Sequence, residues 1–128
     1  MNKALFVLAA GLSLLPLNGC GSDNDSADPV ALCKEAASTL CSKFFGCYTK
    51  DQLTKVASLV GDSEADCVAK FSGADNFNCT PEGTKCEAGQ LYDGSKGREC
   101  VDDFNATSCT EITSGVVTIP AACNETCK

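Results

Sequence analysis

The hydrophobic and polar positions divide the chain into three stretches. An apolar run extends from Ala4 to Leu17, behind Lys3. Gly21 to Asp28 reads GSDNDSAD, with no apolar residue larger than alanine, and has the composition of a tether. Beyond it, apolar residues recur at three- and four-residue steps, the period of helices with one buried face. Asp28 as cap and Pro29 as first helical residue open the first, with Val30, Cys33, Ala37, Leu40, Cys41, Phe44 and Tyr48 along one stripe. Thr49 and Gln52 have capping-box spacing and open a second, which carries Leu53, Val56 and Val60 and ends at Gly61. Ser63 and Asp66 suggest a third, with Cys67, Val68 and Phe71 on one face and Gly73 as its stop.

Residues 73–93 contain three glycines, Pro81, Cys79 and Cys86, and read as a stapled irregular loop with a short strand near Gln90–Tyr92. Asp93 caps a fourth helix bearing Cys100, Val101 and Phe104, which Gly94 and Gly97 weaken. After Cys109 an irregular stretch is expected, and from Pro120 a final turn or two containing Cys123 and Cys127. The fold class is therefore mainly α: a small disulfide-rich domain of four to five short helices with a stapled loop. Gly61 to Phe71 aligns without gaps on Gly94 to Phe104, sharing Gly, Cys, Val and Phe. In both, a cysteine one turn before phenylalanine puts the thiol on the buried face, where it can pin that face to a neighbour.

Composition changes the picture at the cysteines. After residue 19 only 21 of 109 residues are large apolar or tyrosine, which with a net negative charge verges on a disordered composition. Ten of the eleven cysteines lie in that same part, beyond Cys20, at the density of secreted disulfide scaffolds. Cys33, Cys41, Cys47, Cys67, Cys79, Cys86, Cys100, Cys109, Cys123 and Cys127 are expected to form five bonds, in any of 945 pairings.

The apolar run of 14 residues is too short to span a bilayer as a helix and right for a signal-peptide core. Leu17-Asn18-Gly19-Cys20 resembles the bacterial lipoprotein signal. That resemblance implies cleavage before Cys20, a diacylglyceryl group on its thiol, and acylation of the new amino terminus. Cysteine parity agrees, since an unlipidated Cys20 would leave an odd thiol. Gly21, where an aspartate would retain the protein, resembles lipoproteins sent on to the outer membrane. The domains are then 1–19 signal peptide, 20–28 lipidated cysteine and tether, and 29–128 cysteine-rich helical domain.

Leu91-Tyr92-Asp93, Cys100-Val101, Cys109 and Pro120-Ala121-Ala122-Cys123 resemble the carboxy-terminal half of small cysteine-rich lipoproteins of myxobacteria and related bacteria. The resemblance covers about 40 residues plus the signal and implies no assigned activity.

The remaining chemistry is mostly exclusion. No histidine is present, which removes Ser-His and Cys-His nucleophilic pairs and imidazole ligation. No two cysteines stand as C-x-x-C, so zinc ribbons, thioredoxin-like centres and iron–sulfur sites are not expected. Asp23, Asp25 and Asp28 fail the calcium-loop pattern, because the sixth position is Asp28 and the twelfth Lys34. Asp102-Asp103 and the Asp62, Glu64, Asp66 group are the carboxylate clusters; consecutive helical residues diverge, and acids in a first turn serve the helix dipole. Gly94-Ser95-Lys96-Gly97 has neither a nucleophile-elbow nor a phosphate-loop frame and reads as a helix start.

Asn78, Asn105 and Asn124 begin N-x-T tripeptides, discounted behind a bacterial signal. Beyond residue 19 the charge is −8, from 9 basic and 17 acidic side chains, which disfavours nucleic acid as a partner. The expected partner is a membrane, through Cys20; no cofactor or metal is expected. The expected function is a lipid-anchored, non-catalytic cell-envelope or surface interaction module, at the outer membrane. The alternative is a carrier of a small apolar ligand, with Phe44, Phe45 and Tyr48 lining its cavity.

Overall fold

The computed structural model describes residues 27–115 and 117–128, so the signal segment, Cys20 and most of the tether lie outside the described residues. Helix α1 spans Pro29–Cys47 and is the axis on which the rest is assembled. It begins where the sequence places it, with the Asp28 carboxylate accepting from the Val30 amide at 3.0 Å. Its buried face is Leu32, Ala36, Ala37, Leu40, Cys41 and Phe44. Val30 and Cys33, expected in that stripe, are only half-buried: Cys33 stands at the edge of the face, where its disulfide meets the loop that carries Cys79.

Helix α2, Lys50–Val60, has the full Thr49/Gln52 capping box and ends at Gly61. Gly61 has φ +82°, and a β-carbon there would lie 2.7 Å from that of Asp66. Only glycine gives both the conformation and the space. Helix α3, Glu64–Ser72, starts at Ser63, whose hydroxyl accepts from the Asp66 amide, and stops at Gly73. The Lys70 ammonium donates to the Ser58 carbonyl at 3.0 Å, satisfying an oxygen at the end of α2.

Helix α4, Gly94–Ala106, is capped by Asp93 as expected. Gly97 does not break it. A β-carbon there would come 2.1 Å from the Tyr92 hydroxyl and 2.8 Å from Leu32 Cδ1, so glycine is what lets α4 approach these side chains. The expected strand near Gln90–Tyr92 is reduced to a single antiparallel bridge between Tyr92 and Cys127, with Leu91 and Lys128 exchanging amide hydrogen bonds. The stretch after Cys109 is not irregular throughout, because Cys109–Thr113 forms a short helix, α5. Ser108 and Glu111 close a capping box on it, and Ile112 is fully buried. A last turn, α6, covers Ala121–Asn124 and holds Cys123 but not Cys127.

Helices α3 and α4 both pack on α1; α2 lies against α3, α5 against α1 and α6 against α4. The architecture is mainly helical and disulfide-rich, with no strand beyond the isolated bridge among the described residues. Leu32, Leu40, Phe44, Val60, Val101, Phe104 and Ile112 form the core together with the sulfurs of Cys41, Cys67 and Cys100. Phe44, Phe71, Phe77 and Phe104 join the two halves of this core through ring contacts of 5.8–6.1 Å.

Candidate functional site

Five disulfides consume all ten cysteines of the domain: Cys33–Cys79, Cys41–Cys67, Cys47–Cys109, Cys86–Cys127 and Cys100–Cys123. Three of them radiate from α1, at Cys33, Cys41 and Cys47, to the loop, to α3 and to α5. The two similar segments use their cysteines as expected, each pinning its helix to a neighbour. The neighbours differ, however: Cys67 meets α1, and Cys100 meets α6.

Phe44, Phe45 and Tyr48, which only the carrier alternative would set around a cavity, pack as core, the reading that the scarcity of large apolar residues favours. Phe44 is 5% exposed and stacks on Tyr48 at 5.7 Å between ring centres. The Tyr48 hydroxyl donates to the Ile112 carbonyl at 2.8 Å, and Phe45 packs against the core from outside. With so few large apolar side chains in the domain, these rings are spent on filling the interior.

A cavity lies elsewhere, between the 73–93 loop and the face shared by α1, α4 and the chain end. Its volume is about 310 Å³. Leu32 and Ala36 of α1, Phe77 and Tyr92 of the loop, Phe104 of α4 and Ile119 form the apolar wall. Gly83, Thr84 and Lys85 close it from the loop side. Three of the five disulfides, Cys33–Cys79, Cys100–Cys123 and Cys86–Cys127, contribute a cysteine to this wall and tie its parts together. No local pattern announces the cavity, because its lining runs from Pro29 to Cys127 and each contributing segment looks like ordinary core or loop.

Lys85 is the one charged side chain in the lining. It is exposed and has no ion pair among the described residues. The other cations near α4 are engaged: Lys96 with Glu99 at 2.7 Å and Glu125 at 3.3 Å, Arg98 with Glu35 at 2.6 Å, and Lys128 with Asp93. Hydrogen bonds donated to these carboxylates raise the pKa values of Lys96 and Arg98. The Lys128 ammonium, the Ser95 hydroxyl and the Lys96 amide hold the Asp93 carboxyl well below the ordinary carboxylate range. Burial, reinforced by the negative charge of Asp28, pushes the Tyr92 phenol up.

The carboxylate clusters assemble nothing. Asp102 and Asp103 are exposed on α4, and Glu64 and Asp66 occupy the first turn of α3. Gly94-Ser95-Lys96-Gly97 is the first turn of α4, as expected of a helix start. No described helix is long and apolar enough to cross a membrane. No family model, curated protein or solved structure matches this chain.

Proposed function

We propose that the chain is exported, cut before Cys20, lipidated there and held at the outer membrane as a non-catalytic interaction or structural module of the cell envelope. The observation that carries this reading is the cysteine balance. The ten domain cysteines pair among themselves and leave Cys20 as the odd one, directly behind Leu17-Asn18-Gly19. Five structural disulfides belong to an oxidising compartment. Several acyl chains on one residue give a stable anchor, each buried methylene contributing ~0.8 kcal/mol. The absence of histidine and the dispersal of the carboxylates on exposed helix faces favour a non-catalytic role.

The test is metabolic labelling with an alkyne fatty acid, followed by fractionation. The wild type is expected to carry label in the membrane fraction, and Cys20→Ala to carry none and lose membrane association. A soluble, unlabelled wild type would overturn the anchor. A second reading, a carrier of a small apolar ligand, is favoured by the cavity under the 73–93 loop. Native mass spectrometry of protein taken from its host, followed by solvent extraction, is expected to reveal a bound molecule if the carrier reading holds.

A further inference from the structure

Resting on the carrier reading, we infer that the cavity between the 73–93 loop and helices α1 and α4 binds a single-chain anionic amphiphile, a fatty acid of about ten to twelve carbons, with its carboxylate at Lys85. Chain length follows from volume. At roughly 30 Å³ for a water-sized group in a liquid, a cavity of about 310 Å³ holds on the order of ten methylenes. Leu32, Ala36, Phe77 and Phe104 give those methylenes an apolar wall.

The sign of the head group follows from charge. The protein beyond residue 19 is acidic by eight charges, yet the cavity lining contains no carboxylate and one cation. Lys96, Arg98 and Lys128 are paired to acids, whereas the Lys85 ammonium is unpaired among the described residues and is free to meet an anion at the opening. Ile119, 53% exposed and part of the same lining, leaves apolar surface at the opening for the first methylenes of the chain. The disulfide-bound wall keeps the site formed before the ligand arrives, which lowers the ordering cost of binding.

The test is photo-crosslinking of the protein, purified from its host with all disulfides intact and held in lipid discs, by a diazirine-bearing decanoic acid. Unlabelled fatty acids of six to sixteen carbons serve as competitors. Label is expected on the peptides carrying Leu32 to Ala36 and Phe104. Competition should strengthen about fourfold per methylene and level off at ten to twelve carbons, where the cavity is full. Lys85→Glu should weaken the acid by about two- to fivefold and leave its methyl ester unchanged. Thr84→Trp, which fills the cavity from the exposed loop side, should abolish the label.

Label scattered over helix faces remote from the cavity, or affinity that rises unbroken to sixteen carbons, would overturn the inference. Equal binding of acid and ester, unaffected by Lys85→Glu, would overturn the anionic ligand and leave the apolar carrier standing. No label in the cavity from either probe would remove both. Label that appears only in the Cys20→Ala protein would mean that the chain's own anchor occupies the site, and would likewise overturn the inference.

Discussion

Replacing Cys41 and Cys67 together by alanine tests whether the crosslinks, rather than the apolar core alone, hold this domain folded. Both residues are fully buried, and their bond fastens α3 to α1 across a sequence separation of 26. The chain-entropy relation gives ~3.5 kcal/mol for closing a loop of that length in the unfolded chain. The voids left by two sulfurs add on the order of 1 kcal/mol, because the surrounding Leu40, Phe44 and Val60 collapse only partly. The other four bonds already shorten the unfolded chain, so the expected loss is about 3–4 kcal/mol rather than the sum. In a domain of this size that corresponds to a fall in Tm of roughly 15–25 °C. Urea unfolding followed by far-ultraviolet circular dichroism measures it, with the linear extrapolation applied to both proteins. A loss under ~1 kcal/mol would refute the reasoning, since it would mean that helix α3 is held by packing and that its crosslink is incidental.

Gly61→Ala is expected to cost ~1–3 kcal/mol by thermal unfolding, because its left-handed backbone and the nearby Asp66 exclude a side chain. Graded reduction with differential alkylation and peptide mapping should open Cys86–Cys127, half-buried at the chain end, well before Cys41–Cys67, which has no exposed surface. The Asp93 carboxyl titrates below its unfolded value, so its contribution to stability is present above about pH 4 and is lost as the pH falls below that. Stability curves of the wild type and Asp93→Asn should separate near neutrality and draw together in acid, and a gap constant from pH 7 to pH 2 would contradict this. Denatured protein extracted from membranes should take up no iodoacetamide without reductant and ten equivalents after reduction, with Cys20 blocked as a thioether. An eleventh equivalent would refute the lipid anchor.

Much of the secondary structure is written locally. Asp28-Pro29, Thr49 with Gln52, Ser63 and Asp93 each cap the helix expected from them, because a cap is a bond between a side chain and an amide two or three residues on. The same logic was available at Ser108 and Glu111, whose capping-box spacing marks α5, but the short segment behind them has too little periodicity to stand out. The cysteine count likewise allows at most five bonds and leaves one of the eleven over.

Which cysteines meet is another matter. Cys47 and Cys109 are 62 residues apart in the chain and 5.1 Å apart at their α-carbons, and only the packing of α5 on α1 brings them together. The fate of the aromatic residues was decided the same way. Phe44 and Tyr48 have the helical spacing of a cavity wall and of a core equally, and the docking of Phe71 and Ile112 onto them makes them core. The cavity itself is what remains where a glycine-rich loop, lacking the apolar volume to fill the space over α1 and α4, is held across it at Cys79 and Cys86. Helix ends are set by neighbours in sequence and cysteine parity by a simple count, whereas pairing, core and cavity depend on side chains brought from tens of residues away, and so only the tertiary structure decides them.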